Sequence, residues 1–351
     1  MSSPYSFDTY VGETPREWEK FVDSCSYGSI FQTNDWVKAV QEAGLKTLLI
    51  IAREKRGDIV GGMLATYGQS SYFNRRIILN MHVMGAPLIE DPQNEQVLKG
   101  TISIFDKKSR QLGALASFIR TFCPFNDIVV RELHYVIDSD SLPCTVMIDT
   151  SRPLEEVWKS LPRDTRWGIR RATKEGVILA QVESTGELAD YHRLHLLTCS
   201  RLGIAPMSFD FFKAIWQNLH SNDNIKVFLA KHYGKPIAGR IILRWKDKMW
   251  AWHGSSLKEY WGLHANHLLD WHSIEWGNEQ GVKTYDLLGI PCEKVKTHPK
   301  YGLYLYKTGF GGKVVKHGEY VKHYSPLKFF VFSKILGPIH RRLFRVPPAQ
   351  R

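Results

Sequence analysis

The sequence predicts an α/β protein made of two similar domains in tandem. Three observations support this fold class. The chain has 351 residues, 43% of them hydrophobic, which is enough for two buried cores. A hairpin pattern occurs twice, and each hairpin is followed by a helical segment that ends at a glycine. Each domain is expected to hold a mixed, mainly antiparallel sheet flanked by helices.

The repeated hairpin begins at a glycine-containing turn. Residues 57–62 lead into IVGGMLATY in the first copy, and residues 234–239 lead into IAGRIILRW in the second. Turn glycines beside alternating β-branched residues are typical of hairpins. A second strand follows in each copy, RRIILNMHVMG ending at Gly85 and KMWAWHG ending at Gly254.

A helix is predicted after each hairpin, over residues 94–111 with a stop at Gly113 and over residues 263–279 with a stop at Gly281. Each helix leads into a short strand, ALASFIRTF or KTYDLLGI. Between the copies, CTVMIDTSRPLEEVWKSL predicts a strand, a turn and a helix, so we place the boundary near residue 146. The first domain is then residues 1–145 with 318–351, because an undocked tail would expose its phenylalanines, and the second is residues 146–317.

The charge of the chain favours a polyanionic partner. The formal net charge is +12, from 47 Lys and Arg against 35 Asp and Glu. Such a balance suits nucleic acid, an anionic membrane surface or a phosphorylated substrate, although a basic soluble protein would show it as well. The tail, with Lys328, Lys334, Arg341, Arg342 and Arg345 among apolar residues, could lie on a membrane surface. A docked helix is an equal alternative.

The cysteines and the N-terminus indicate the compartment. Five cysteines stand singly, the count is odd and no CxxC pair occurs, so we expect neither a zinc site nor a disulfide. This favours a reducing, cytoplasmic compartment. The N-terminus lacks the pattern of a secretory signal, and no apolar run reaches the ~20 residues of a membrane-spanning helix. The chain is therefore expected to be neither secreted by that route nor integral to a membrane.

Residues 162–177, PRDTRWGIRRATKEGV, predict a basic helix. Its cations recur at helical spacing and form one stripe, while Ile169 and Ala172 face the core. The stripe could contact phosphates of RNA or of a nucleotide-linked substrate, or it could be an ordinary solvated face. The candidate phosphate-binding residues are Arg163, Arg166, Arg170, Arg171 and Lys174.

The most specific segment is YDLLGI (285–290) followed by GLYLYKTGFGG (302–312). Interpreted as a strand, the second part sends Tyr304 and Tyr306 to one face and Lys307 to the other. A lysine beside a glycine-rich turn can place its charge near a reacting carbonyl or phosphate. A solvated lysine on an edge strand would look the same.

Four segments together resemble one known family. They are SIFQ (29–32) followed by Trp36 and Lys38, then W-x-x-L-x-x-x-x-R-x-x-I-R-x-A-x-x-x-G-V over residues 158–177, then YDLLGI, then YKTGFGG. In this order the chain resembles the FemABX peptidyltransferases, most of all the compact FemX-type members. The match spans nearly the whole chain.

The resemblance implies tandem GNAT-like domains, the first of which is completed by the C-terminal tail, and a cleft between the two domains. It also implies transfer from an aminoacyl-tRNA ester to an amine of a cell-wall or envelope precursor, with no cofactor and no metal. Lys307 matches the motif lysine that would stabilise the developing oxyanion, and Lys38 matches one that helps hold the precursor. The substrate-binding candidates are Lys38, Trp36, Trp252, Tyr304 and Tyr306.

Coenzyme A binding is disfavoured by residues 259–264. GNAT enzymes that bind this cofactor carry small residues there, which let backbone N–H groups approach the pyrophosphate. Here Glu259 stands at the first position and the bulky His264 at the last. His264, His267 and His272 lie on the helix that follows. The two that are three residues apart, His264 and His267, could bind a metal together, but the sequence places no carboxylate or third ligand beside this pair. We therefore expect these histidines to pack rather than to bind metal.

Departures from the family affect the acceptor site. Cys123-Pro124 stands where the family has an acid before proline, Met207 replaces an arginine, and Phe211 and Trp252 replace tyrosines. These losses indicate an acceptor other than the usual nucleotide-linked precursor. Two alternatives remain: an N-acyltransferase that uses an acyl thioester to modify polysaccharide or lipid, and a non-catalytic protein that binds RNA or anionic lipid.

Overall fold

The structure is a computed structural model that describes residues 4–68, 70–72, 75–122, 127–137 and 142–336. The chain divides into two compact units, Met1–Ser139 with Gly318–Arg351 and Asp140–His317. The boundary proposed from the sequence lies a few residues later, inside the first strand of the second unit. Residues 337–351 lie outside the described part, so the predicted surface role of Arg341, Arg342 and Arg345 has no structural counterpart here.

In the described part of the chain, the first unit contains thirteen segments and the second fourteen before the chain returns to the first. The first contains β1 (Tyr5–Val11), α1 (Arg16–Ser24), a 3-10 turn (Ile30–Gln32), α2 (Asn34–Glu42), β2 (Lys46–Glu54), β3 (Ile59–Tyr67), β4 (Ser70–Tyr72), β5 (Arg75–Met84), β6 (Leu88–Ile89), α3 (Glu95–Gln111), β7 (Ala114–Arg120), α4 (Asp127–Glu132) and β8 (Val136–Ile137). The second contains β9 (Cys144–Asp149), α5 (Leu154–Ser160), α6 (Arg163–Lys174), β10 (Val177–Gln181), α7 (Thr185–Leu202), α8 (Phe209–Leu219), β11 (Ile225–His232), β12 (Lys235–Trp245), β13 (Lys248–Ser256), a 3-10 turn (Lys258–Leu263), α9 (Ala265–Glu279), β14 (Thr284–Asp286), α10 (Tyr301–Thr308) and β15 (Lys313–Lys316). The returning segment holds β16 (Glu319–His323), α11 (Pro326–Phe330) and a π-helical turn (Val331–Leu336).

Both units contain a mixed sheet of the same design. In the first the strand order is β1-β2-β3-β5-β7-β16-β8, and in the second it is β10-β11-β12-β13-β14-β9-β15. Neighbours pair antiparallel except β5 with β7 and β13 with β14, which are parallel. These pairs are the ones that α3 and α9 connect, because parallel strands need a crossover between them. The predicted duplication of an α/β unit is confirmed.

The turn residues explain why both copies fold alike. Gly57 (φ +95°) and Gly234 (φ +76°) turn the two hairpins, and Gly113 and Gly281, also at positive φ, follow the two crossover helices. Glycine adopts this region without the steric cost that a Cβ imposes. The strands predicted for the two hairpins agree with the structure, except that β13 continues past Gly254 to Ser256, and the strand predicted at KTYDLLGI is limited to β14.

The tail reaches the first unit through β16. This strand lies between β7 and β8 and pairs antiparallel with both. Lys322 forms an ion pair with Asp106 of α3, and the hydroxyl of Tyr324 donates to the same carboxylate at 2.8 Å. These contacts hold the returning segment against α3.

Two sequence predictions are wrong. Cys144 and Cys292 form a disulfide, although the single, scattered cysteines predicted none. They are 148 residues apart, and only the pairing of β9 with the segment after β14 brings them together. The argument for a reducing compartment loses this support. In the second case the segment predicted as a strand at residues 304–307 is the helix α10.

Among the described helices, none combines the length and the apolar character that crossing a lipid bilayer requires.

Candidate active site

Helix α10 carries Lys307, the lysine singled out in the sequence. The alternation Tyr-Leu-Tyr-Lys resembles a strand, but helical spacing places Tyr306 and Phe310 on one side, where their rings lie 5.5 Å apart. This side packs inward, with Phe310 fully buried. Tyr304 packs against the same core, and its spacing of three residues from Lys307 is that of a helix rather than of opposite faces of a strand. The contact between Tyr306 and Phe310, which lies just past the helix, is available in this helical conformation.

The ammonium group of Lys307 is held by two backbone carbonyls. Its Nζ donates to the carbonyl oxygen of Leu288 at 2.9 Å and to that of Gly289 at 3.1 Å. Both residues belong to the YDLLGI segment, which the sequence placed next to this lysine only in order along the chain. The structure therefore joins the two motifs in one site of the second unit.

The segment 286–292, whose carbonyls accept hydrogen bonds from Lys307, is held in place by side-chain, backbone and disulfide contacts. The buried carboxylate of Asp286 accepts the N–H of Leu288 at 2.7 Å and the hydroxyl of Thr145. Leu288 has φ +57°, a left-handed conformation that is uncommon for a branched side chain and often marks functional sites. Ile290 exchanges two backbone hydrogen bonds with Cys144, and the disulfide follows at Cys292.

A buried polar network holds the inner side of α10. The hydroxyl of Tyr306 donates to the carboxylate of Asp270 on α9 and contacts the carbonyl of Asn266 at 2.9 Å. Arg240 forms an ion pair with the same carboxylate at 2.6 Å, and the hydroxyl of Tyr285 donates to it at 3.3 Å. A buried charge needs such partners to avoid the cost of desolvation.

The network sets the protonation states around the site. Burial raises the pKa of Tyr306 and that of Tyr285 well above their usual range, and the Asp270 carboxylate adds to both shifts. Both tyrosines are therefore neutral donors near pH 7. Burial lowers the pKa of His267, which packs against Tyr306, to about 4, so this imidazole is also neutral.

Helix α6 forms with the faces that its sequence predicts. Ile169 and Ala172 are buried, while Arg163, Arg170 and Lys174 are exposed and Arg166 is half-buried. Its N-terminal turn touches the site, because the Thr165 hydroxyl donates to the carbonyl of Gly309 at 2.7 Å. The helix is confirmed; the phosphate-binding role of its cations stays a prediction.

The remaining site candidates are distributed over both units. In the first unit Lys38 is exposed on α2, whereas Trp36 is buried against Phe31 at 5.0 Å between ring centroids, as a core residue would be. In the second unit Trp252 and Tyr304 are half-buried. The hydroxyl of Tyr306 points inward to Asp270, so its direct contacts are with protein groups.

The structure brings together the residues that depart from the family. The rings of Phe211 and Trp252 lie 5.9 Å apart, and the loop at Met207 is held by histidines of α7. His195 accepts the N–H of Met207 at 3.1 Å, and His192 contacts its carbonyl at 3.0 Å. Phe211 is buried, Trp252 is half-buried and Met207 is exposed. Cys123 and Pro124 lie outside the described residues.

The cofactor predictions can be compared with the local geometry. The segment 258–263 is a 3-10 turn, and His264 follows at φ +56°, packed against the half-exposed ring of Trp167. Glu259 and His264 thus occupy the turn before α9 and its first boundary, as the sequence predicts. Within the described ranges, no group of three or more His, Cys, Asp or Glu side chains could hold a metal ion.

Sequence reasoning missed the residues that position Lys307. Asp270 lies on α9 between apolar residues, next to Leu269 and Trp271, and Arg240 lies in the middle of the buried run of β12. A charged residue flanked by apolar neighbours was the available signal for both. Gly254 is a third case: a Cβ there would lie 2.2 Å from Nη1 of Arg240.

The comparisons with known proteins agree with this architecture. Residues 159–307 match the acetyltransferase (GNAT) domain family. The crystal structure of FemX superposes with a TM-score of 0.69 over 93% of this chain and 99% of that chain, at 15% identity. A tandem GNAT protein from the clavulanic acid biosynthesis pathway superposes with a TM-score of 0.61 over 91% and 98%, at 10% identity. These similarities show the fold.

Two curated proteins are related in sequence. The UDP-N-acetylmuramoylpentapeptide-lysine N(6)-alanyltransferase of Weissella viridescens is 25% identical over 149 residues, 42% of this chain and 43% of the relative. The lipid II:glycine glycyltransferase of Staphylococcus haemolyticus is 28% identical over 231 residues, 48% of this chain and 55% of the relative. The chain thus spans about half the length of the curated relatives it matches.

The fold and its relatives define a class, that of proteins with tandem GNAT domains. Within that class the chain is FemABX-like, as the resemblance of its motifs predicts.

Proposed function

We propose that the protein is an aminoacyltransferase that moves an aminoacyl group from aminoacyl-tRNA to an amine of a cell-wall or envelope precursor. The observation that carries the proposal is the ammonium of Lys307, held by the carbonyls of Leu288 and Gly289. The two curated relatives carry names of aminoacyl transferases acting on peptidoglycan precursors, which supports the same reaction.

In the proposed reaction the acceptor nitrogen attacks the ester carbonyl carbon, and the carbonyl electron pair moves onto oxygen. The ammonium of Lys307 stabilises this negative charge. Collapse of the intermediate breaks the bond to the ribose oxygen, which takes the proton that the nitrogen loses. One C–N bond replaces one C–O bond, so the protein needs to supply mainly positioning and charge.

The other parts follow from this reaction. The cations of α6 would contact the tRNA, and Lys38, Trp252 and Tyr304 would contact the acceptor or the aminoacyl group. Trp36, which is buried against Phe31, would support α2 rather than touch a substrate. The exposed Met207, where the resemblance predicts an arginine, suits an acceptor that presents fewer phosphates there than a nucleotide-linked precursor does. Because aminoacyl-tRNA is a cytoplasmic molecule, the reaction would take place there, with the tail near a membrane that holds the precursor.

Replacement of Lys307 tests the proposal. Removing one preorganised charge from an oxyanion site commonly lowers kcat by about 10²–10³-fold, and we expect this for Lys307→Ala. Transfer is measured with aminoacyl-tRNA and amine-bearing precursors by mass spectrometry, and folding by circular dichroism. Lys300→Ala, at an exposed lysine beside the same helix, is the matched control. Unchanged turnover of a folded Lys307→Ala protein would remove this lysine from the mechanism.

A second candidate is an N-acyltransferase that uses an acyl thioester, because the family match is to an acetyltransferase domain. The acid and the imidazole at residues 259 and 264 disfavour coenzyme A but not a carrier-protein thioester. Ribonuclease treatment of the donor separates the two: activity that survives the treatment excludes a tRNA donor. A complete lack of modified product would favour the non-catalytic binding protein.

A further inference from the structure

A hollow of about 480 Å³ lies in the second unit between α5, α6 and α9. It is separate from the groups that surround Lys307. Its walls combine apolar and charged side chains, among them Trp158, Ile169, Arg170, Lys174, Trp271 and Glu275. This volume lies in the range of sites that enclose a small ligand.

The apolar wall of the hollow is aromatic. The rings of Trp158 and Trp271 meet edge to face at 4.8 Å, with Trp271 buried and Trp158 half-buried. The guanidinium of Arg170 lies over the Trp158 ring at 5.3 Å. Indole and guanidinium planes both accept a stacked planar ring, so this wall suits a flat ligand.

The rim of the hollow is continuous with the cationic stripe of α6. Arg170 and Lys174 belong to both, and the twelve-residue helix is about 18 Å long, more than one phosphate spacing. Helix α6 carries a second pair of a cation and an aromatic ring. The guanidinium of Arg171 lies over the half-exposed ring of Trp167, 5.2 Å from its centroid. Two acids are near: Glu175 faces Arg171 at 3.8 Å, and Glu275 faces His272 at 3.7 Å.

We propose that this hollow binds an unpaired nucleotide of RNA, with the base against Trp158 and the phosphates at Arg170 and Lys174. The inference rests on the proposed tRNA donor and adds a stacking site to it. Aromatic side chains beside cations are how proteins hold single-stranded nucleic acid. A duplex keeps its bases stacked internally, so it would leave the aromatic wall unused. A free nucleotide would not use the rest of the stripe.

The test measures binding of a fluorescein-labelled single-stranded RNA tetranucleotide by anisotropy. Loss of one stacked base corresponds to about 5- to 150-fold weaker binding, and we expect this for Trp158→Ala. Trp158→Phe keeps a stacking face and should stay close to wild type, which separates stacking from misfolding. Tyr233→Ala, at an aromatic residue that is 94% exposed in the same unit, is the control.

Salt dependence separates the two kinds of contact. Arg170→Ala and Lys174→Ala should each reduce the slope of log affinity against log salt by about 1, whereas Trp158→Ala should leave that slope unchanged. A tetranucleotide with abasic sugars should bind wild type weakly and be insensitive to Trp158→Ala. Equal binding of the abasic and the normal strand would overturn the proposal, as would wild-type affinity of Trp158→Ala or displacement by AMP at equal concentration.

The same proteins distinguish this inference from the proposed function. If wild type transfers from aminoacyl-tRNA while Trp158→Ala keeps its KM for that donor, the stacking site is wrong and the function stands. If wild type binds no RNA and its transfer survives ribonuclease, the tRNA donor itself is wrong, and the stacking site is wrong with it.

Discussion

Tyr306 joins helix α10 to helix α9 through a single hydroxyl group. That hydroxyl and the guanidinium of Arg240 both bind the carboxylate of Asp270, which is almost completely buried. Lys307 follows directly in the chain, so the orientation of α10 about its axis determines where the ammonium lies. We infer that this network positions Lys307, although none of its members needs to touch a substrate.

Tyr306→Phe should lower both stability and turnover. Removing one hydrogen bond to a buried charge costs about 1.5–3 kcal/mol, and we expect a loss of that size in the free energy of unfolding in urea. Because α10 is then less well fixed, kcat should fall while KM changes little. Tyr301→Phe, at a half-buried tyrosine of the same helix, is the control. If Tyr306→Phe matches wild type in both measurements, Asp270 holds α10 without this hydroxyl.

At the scale of elements, the conformation of the loop 287–292 is determined by contacts with residues that are distant in the sequence. Leu288 lies in the left-handed region, Gly289 packs against Leu142, and Cys292 is bonded to Cys144. Two carbonyls of this loop face Lys307 as a result. The loop thus supplies the site with backbone groups rather than with side chains.

Gly289→Ala should displace this loop. Its Cβ would lie 2.9 Å from the Cβ of Leu142, which is closer than carbon atoms pack. Overpacking of this kind costs about 1–3 kcal/mol in the free energy of unfolding, and the shifted carbonyls should lower kcat. Leu142→Gly removes the obstructing atom, so the double variant should recover part of both losses. A double-mutant cycle measures this coupling, and purely additive effects would contradict the explanation.

The disulfide between Cys144 and Cys292 can be tested by counting free thiols. Titration of the unfolded protein should find two more thiols after treatment with a reductant than before it, from Cys144 and Cys292. Cys292→Ser should lower the free energy of unfolding by about 2–5 kcal/mol, because the bond closes a long loop of the unfolded chain. Cys25→Ser, at a cysteine that takes no part in this disulfide, is the control. An equal thiol count with and without reductant would contradict the bond.

At the scale of the whole molecule, histidines of the second unit make stability depend on pH. His195 is buried, and its Nε2 accepts the N–H of Met207. Burial lowers the pKa of His195 to about 4, and the neighbouring His192 adds to the shift. Burial acts in the same direction on His253, whose pKa falls to about 3, and on His267.

The protein should therefore lose stability as the pH falls from 7 to 5. An unfolded histidine takes up a proton near pH 6.5, whereas folded His195 does so only near pH 4. Between these values the unfolded chain binds more protons, and His195 alone accounts for about 2 kcal/mol by pH 5. Urea unfolding at both pH values measures the change. His195→Gln should lose less free energy of unfolding between pH 7 and pH 5 than wild type does. The control His323→Gln should lose as much as wild type. Equal losses in wild type and His195→Gln would refute the assignment to His195.

The sequence alone determined the fold to a large extent. The two hairpins, the two crossover helices and their glycine stops were all readable, because each depends on residues close together in the chain. The helix α6 and its faces were readable for the same reason. The segment around Tyr304 was not, since a short run of alternating tyrosines fits a strand equally well and only the packing of Tyr306 and Phe310 on α9 selects the helix.

The sequence also singled out Lys307 and both motifs beside it, and through them the family that the chain resembles. Only the tertiary structure decided that this lysine donates to the loop after β14, that Tyr306 beside it binds Asp270, and that Cys144 and Cys292 are bonded. These partners are far apart along the chain. Local propensity and periodicity carry no information about such pairs, because it is the sheet that brings them into contact.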